Sequence, residues 1–301
     1  MPESTNRRVN ESTAVRNVLV AGCGYVGREL VFAFHSSGWR AWGLTRTPEQ
    51  ARAIMEEFGI PTVAADLGDR AALGRALDGI PKPHVVVHCA SSSRGGPEAF
   101  RNVFVHGLRN LCELLAPEHI VFTSSTSVYA QTDGTEVDES SPAEPATETG
   151  RILREAEAIV LGNGGTVLRL AGIYGPGRSV VLRRFLDGSA VIEDGGGRWL
   201  NQIHRDDVVA AILHVAGAAW ARGQIFNVAD DRPLTQREAY AGLARHFKRP
   251  LPPEGPRKED RKRAWSHKRV SNRKLRATGW APVFPSFLDA VELGWMTDPG
   301  S

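Results

Sequence analysis

Cysteine is scarce in this 301-residue chain: Cys23, Cys89 and Cys112 are an odd three with no Cys-x-x-Cys spacing. That excludes a disulfide framework and a zinc knuckle. Each lies in an apolar stretch, where a free thiol serves as a small core residue, and a reduced, cytoplasmic setting is expected. Also missing is an apolar run of the ~18 residues that a membrane span requires. The first 16 residues, MPESTNRRVNESTAVR, lack the hydrophobic region of a secretory signal and read as a disordered lead-in. His-Glu-x-x-His, clustered Cys/His sets and EF-hand loops do not occur, so no metal is implied. Charge imbalance is small, 37 Lys+Arg against 34 Asp+Glu, and 42% hydrophobic content is that of an ordinary globular protein. The basic excess gathers in Arg257–Arg276, with ten Lys/Arg and two acids. No nucleic-acid-binding motif or stacking pattern accompanies it, so it reads as a solvated face and no nucleic-acid partner is expected.

What is present is a rhythm. Short β-rich runs alternate with helical periodicity through the first 170 residues, the mark of a parallel α/β sheet. Val18–Ala21, Trp39–Thr45, Thr62–Ala65, His84–Cys89, His119–Thr123 and Thr166–Leu170 read as six strands. The fold class expected is a doubly wound parallel Rossmann sheet with a smaller C-terminal substrate lobe. In that division, 17–172 forms the dinucleotide-binding domain and 203–220 returns to it. Residues 173–202 and 221–301, where Gly and Pro cluster and the alternation becomes irregular, form the smaller lobe.

Gly22-Cys23-Gly24-Tyr25-Val26-Gly27 is a GxGxxG directly after the first strand and before a helix. Gly22 permits the tight turn, Gly24 lets a pyrophosphate approach the backbone, and Gly27 lets helix and strand pack closely. Tyr25 and Val26 are cofactor-binding candidates just ahead of the helix Arg28–Ser37, whose N-terminal N–H groups would face the phosphates. Nineteen residues on, at the end of the second strand, stands Arg46 rather than the acid that bonds a ribose 2′-OH. A guanidinium pairs well with a 2′-phosphate, so NADP(H) is expected over NAD(H).

These motifs continue in order through Asp66-Leu67, His88-Cys89-Ala90, Ser124-Ser125-Thr126-Ser127-Val128-Tyr129, the run Arg169 to Arg178 (RLAGIYGPGR) and Ile203 to Asp207. Together they resemble the extended short-chain dehydrogenase/reductase superfamily of the NAD-dependent epimerase/dehydratase type. The resemblance implies that Asp66 and Leu67 meet the adenine and that Cys89, Ala90 and Ser91 line the cofactor. It also implies that the Ser125 hydroxyl bonds a substrate carbonyl or alcohol.

One absence cuts against that family. Where its Tyr-x-x-x-Lys pair should stand, the chain has Thr147 and Arg151. An aliphatic hydroxyl is far less acidic than a phenol of pKa ~10, so Thr147 is a poor proton donor. Arg151 is always charged and can hold a nicotinamide ribose and supply positive field, but it cannot relay a proton. The catalytic candidates are Ser125, Thr147 and Arg151, and Tyr174, Arg178 and His204 are candidates near a small-molecule substrate. The resulting reading is an NADP-binding, atypical short-chain dehydrogenase/reductase-like protein. Its expected work is oxidoreductase or epimerase/reductase chemistry on a carbonyl or sugar-like molecule. The alternative is a catalytically impaired cofactor sensor or regulatory binding protein. Relatives pair through two helices, here Pro97–Leu115 and Glu148–Leu161, so a homodimer is expected, with a monomer as the other outcome.

Overall fold

Valine-rich runs with no polar interruption have nowhere to go but between two helical layers, and that placement generates the architecture. A computed structural model describes residues 15–92, 95–257 and 266–296. Most of the 1–16 lead-in and residues 258–265 of the basic segment lie outside the described residues. The first half alternates β1 (Asn17–Ala21), α1 (Gly27–Ser36), β2 (Arg40–Thr45), α2 (Pro48–Phe58), β3 (Thr62–Ala64), α3 (Arg70–Leu77) and β4 (Val85–His88). Next come α4 (Pro97–Phe100), a π-helical turn (Arg101–His106), α5 (Gly107–Leu115), β5 (His119–Ser125), α6 (Glu148–Gly162) and β6 (Thr166–Leu170). Local chemistry sets the boundaries. The Thr47 hydroxyl accepts from Gln50 N ahead of Pro48 at the start of α2, and Gly59 ends that helix in the left-handed region. Asp69 caps α3 in the same way, accepting from Ala72 N at 2.9 Å.

The central sheet among the described residues has seven parallel strands, not the six expected. The seventh, β7 (Ile225–Val228), falls within the span expected to form the smaller lobe, but it runs beside β6 with Phe226 opposite Leu168. Strand order is β7-β6-β5-β4-β1-β2-β3, the doubly wound order that reverses between β1 and β4. After β6, α7 (Val180–Leu186) leads away, and α8 (Arg205–Val215) returns to pack on α1. Then α9 (Gln236–Phe247), α10 (Arg273–Arg276) and α11 (Phe287–Glu292) complete the chain's helices among the described residues. Tyr174, Leu182, Phe185, Tyr240, Leu243 and Phe287 form a second hydrophobic core, separate from that of the central sheet. Short two- and three-residue ladders tie the parts together, among them Gly172–Tyr174 with Gln202–His204 and Glu136–Val137 with Arg269–Val270.

Residues 97–115, expected as one helix, are broken by the π turn. The carbonyl of Val103 within it meets Nε2 of buried His88 at 3.1 Å, so a side chain claims a group the regular helix ladder would use.

Three buried histidines each oppose folding in acid. Burial pulls His88, His119 and His204 from 6.5 down to about 4 each. The unfolded chain then binds protons that the folded one refuses, so their contribution falls as pH drops from about 6.5 toward 4. Asp207, raised by burial to about 6, and Asp230, also raised by burial, work in the opposite sense by keeping protons when folded. Removing one histidine isolates its share. His88 packs against Phe104 and Phe122, and His88→Phe should lose about 2 kcal/mol less than wild type between pH 7 and pH 5. Urea unfolding at the two pH values measures this, and equal losses in both proteins would refute it.

Candidate functional site

The glycine turn sits at the carboxyl edge of the sheet, at the point where strand order reverses. Gly22 donates to Leu44 O at 2.8 Å and Gly24 to Gly22 O at 2.8 Å, which folds the turn back over β2. Gly22 adopts φ +103°, and a Cβ there would lie 2.3 Å from Ala90 N and Cα. A Cβ on Gly27 would lie 2.1 Å from Gly22 O and 2.9 Å from Cys89 Sγ. Gly24 is different: nothing stands within 4 Å of where its Cβ would be. Two glycines are thus needed by the protein itself, and the third opens onto space. Arg28 N donates to Gly24 O at 3.0 Å, so helical bonding starts at the turn itself. With no side-chain cap, the N–H groups of Tyr25, Val26 and Gly27 have no protein acceptor among the described residues and are left to an anion. An uncapped helix start beside an open glycine cradle fits a dinucleotide pyrophosphate.

The wall of the turn is apolar and inert. Cys89 donates to Gly22 O at 3.4 Å and Cys23 to Val20 O at 3.4 Å. Burial pushes the Cys23 thiol up to about 12 and the Cys89 thiol higher still, so neither is a nucleophile at neutral pH. Ala90 is half-buried and Ser91 exposed at the same strand end. At the end of β2, Arg46 is exposed and joins no ion pair among the described residues. Past β3, exposed Asp66 accepts from Gly68 N at 2.8 Å and from Asn102 Nδ2 at 3.1 Å. Buried Leu67 offers its carbonyl to Asn110 Nδ2 at 2.8 Å.

At the end of β5 the Ser125 hydroxyl accepts from Ser127 N at 3.1 Å, capping the 3-10 turn Thr126–Val128. Beneath it lies a buried polar network that the sequence reading missed. Ser124 donates to Glu157 Oε1 at 2.6 Å, and Arg169 grips Glu157 with two bonds of 3.0 and 2.7 Å. Arg169 also donates to the Tyr129 hydroxyl at 2.8 Å, which donates to Asn227 Oδ1 at 2.9 Å. Buried Lys268 donates to Tyr129 O at 2.8 Å, and burial draws its ammonium down to about 8. The missed signals are an arginine inside the apolar strand TVLRL and a glutamate on the apolar stripe Leu153-Ala156-Glu157-Val160.

Thr147 stands at the N-cap of α6, its hydroxyl accepting from Gly150 N at 3.1 Å and lying 3.3 Å from Thr149 Oγ1. Arg151 is exposed and donates back to Ala146 O at 3.4 Å. Of the three candidates near a substrate, two are interior. Tyr174 is 1% exposed and donates to Asp230 Oδ2 at 3.2 Å; burial raises both groups. His204 is fully buried, accepts from Asp206 N at 3.2 Å through Nδ1, and packs on Phe284 at 4.2 Å. Arg178 is exposed, with its guanidinium 5.0 Å from the Tyr25 ring.

The chain is similar to known proteins. The family model described as NAD dependent epimerase/dehydratase matches residues 18–229. Protein YeeZ of Escherichia coli (strain K12) is 30% identical over 242 residues, 77% of this chain and 84% of that protein. A solved structure from Methylobacillus flagellatus, placed among the NAD-dependent epimerase/dehydratases, is 27% identical and superposes with a TM-score of 0.76. It covers 93% of this chain and 97% of its own. The Thermus thermophilus UDP-glucose 4-epimerase, solved with NAD, is 23% identical with a TM-score of 0.76 over 92% of this chain and 97% of its own, a likeness of fold.

Proposed function

This chain belongs to the NAD-dependent epimerase/dehydratase family, and we propose that it binds NADP(H) and works as an atypical oxidoreductase or epimerase/reductase on a carbonyl or sugar-like small molecule. The observation that carries the reading is the open cradle at Gly24 between two glycines that the protein's own packing demands. In this reading the glycine turn holds the pyrophosphate, with Tyr25 and Val26 at the helix start. Asp66 and Leu67 meet the adenine, and Cys89, Ala90 and Ser91 line the cofactor's inner side. Arg46, exposed and without an ion pair among the described residues, receives the 2′-phosphate. A nicotinamide bound there supplies hydride transfer. Ser125 orients the substrate oxygen, Arg151 contributes positive field near the ribose, and Thr147 keeps α6 in place as its cap.

A second reading, a cofactor sensor, draws on Thr147: its hydroxyl already accepts the Gly150 N–H and has no phenol's acidity to offer. One experiment separates the two. NADPH and NADH are titrated against wild type and Arg46→Ala, and a panel of carbonyl and sugar-nucleotide substrates is then followed at the nicotinamide absorbance beside Ser125→Ala. NADPH should bind about tenfold or more tightly than NADH, and Arg46→Ala should erase most of that difference. Turnover lost in Ser125→Ala supports the enzyme. Tight NADPH binding with no turnover anywhere in the panel supports the sensor, and equal affinity for NADH and NADPH sinks the preference for NADP(H).

A further inference from the structure

The side chain of Tyr25 does something the GxGxxG pattern does not ask of it. It reaches out of the glycine turn and donates to Pro176 O at 3.0 Å, joining positions 151 residues apart. Two guanidiniums lie over its ring, Arg178 at 5.0 Å and Arg205 at 5.3 Å from the centroid. The loop that carries Pro176 and Arg178 is closed on itself: Gly175 N donates to Arg178 O at 3.0 Å, and Arg178 N donates to Gly175 O at 2.9 Å. Its approach to Tyr25 is so close that a Cβ on Gly175 would lie 2.7 Å from the Tyr25 hydroxyl.

The two arginines differ in one decisive respect. Arg205 is neutralised, bonded to Glu29 at 3.1 Å and Asp206 at 2.8 Å. Arg178 is exposed and has no carboxylate partner among the described residues. A positive group held on the ring of Tyr25, the residue that follows the open Gly24, has a free charge to offer an anion at the glycine turn.

We propose that Arg178, carried on Tyr25 by the Gly175–Arg178 turn, binds the pyrophosphate of the dinucleotide, so that the loop after β6 latches the cofactor to the glycine turn. The proposal rests on the nicotinamide-cofactor reading above and adds to it a residue of the second lobe. Arginine suits the task because its planar donors pair with phosphate oxygens bidentately, and stacking leaves it little freedom to lose on binding. The Tyr25 hydroxyl is the catch: without it the loop keeps its cation but loses its tether.

Fluorescence titration and stopped-flow dissociation of NADPH test this on the full chain, with wild type, Arg178→Ala and Tyr25→Phe. Two fragments serve as further probes: 2′-phospho-ADP-ribose, which contains the pyrophosphate, and adenosine 2′-monophosphate, which does not. Arg178→Ala should weaken NADPH and 2′-phospho-ADP-ribose about tenfold or more, chiefly through faster dissociation, and leave adenosine 2′-monophosphate unchanged. Tyr25→Phe should speed dissociation severalfold. Arg178 is on the surface, so an unchanged melting temperature confirms that the fold is intact. NADPH affinity within twofold of wild type in Arg178→Ala overturns the latch and leaves the nicotinamide reading standing. Equal weakening of all three probes also overturns it, since the cation would then serve the adenosine 2′-phosphate. Wild type that binds neither NADPH nor NADH overturns both.

Discussion

Glu157→Leu should destabilise this protein by about 3–5 kcal/mol, among the largest effects of any single substitution, because it strands a buried positive charge. Glu157 is fully buried and Arg169 is 1% exposed. The two share a bidentate ion pair, with Ser124 donating to the same carboxylate and Arg154 paired with it from the preceding turn of the same helix. Removing the carboxylate leaves Arg169 with only the Tyr129 hydroxyl as a side-chain acceptor among the described residues. The pair itself is a different matter. Its desolvation nearly offsets its attraction, so the double variant Glu157→Leu with Arg169→Met should recover a large part of the loss. Urea unfolding of both single variants and the double variant closes the cycle. A cost below about 1 kcal/mol for Glu157→Leu, or a double variant as unstable as the sum of the singles, would contradict this account. The network reaches the site through two handles. Ser124 neighbours Ser125, and Tyr129 ends the short turn that Ser125 caps, gripped at its hydroxyl by Arg169 and at its carbonyl by Lys268.

Why the sequence reveals the sheet and conceals this network follows from how each is encoded. HVVVHC or TVLRL is a local statement: a short apolar run must be buried on both faces, and parallel strands provide that. The glycine turn is equally local, since three glycines at fixed spacing permit one tight passage from strand to helix. A buried ion pair is not local. Arg169 reads as one tolerated polar residue in a strand, and nothing beside it indicates that Glu157 on the preceding helix lies opposite. Strand β7 escapes assignment to the sheet for a related reason. Gln224–Val228 is recognisable as a strand, but its partner is Thr166–Leu170, some 60 residues away across an irregular region. Tyr174 and His204 show the limit most clearly. Sequence leaves Tyr174 either packing its own turn or standing near a substrate, and His204 either at a lobe junction or in the chemistry, whereas the second core, with Phe284 and Phe287 arriving from the far end of the chain, encloses both rings.

The three glycines of the turn should respond to substitution in two opposite ways, and this is the sharpest test of the site. In Gly27→Ala the new methyl would meet Gly22 O at 2.1 Å and Cys89 Sγ at 2.9 Å. The first obstacle is backbone and cannot swing aside, so α1 must lift from β1, which costs about 1–3 kcal/mol or more for overpacking. Gly22→Ala faces the same obstruction from Ala90, with the added strain of φ +103°. Gly24→Val meets no protein atom within 4 Å of its Cβ, so its stability should stay within about 0.5 kcal/mol of wild type. Its cost appears only when a ligand's pyrophosphate must approach that same backbone. NADPH affinity should then fall by about tenfold or more, equivalent to roughly 1.4 kcal/mol or more. Thermal melting and NADPH titration of Gly24→Val and Gly27→Ala side by side check the contrast. If Gly24→Val binds NADPH as wild type does, the cradle is not where the cofactor lies.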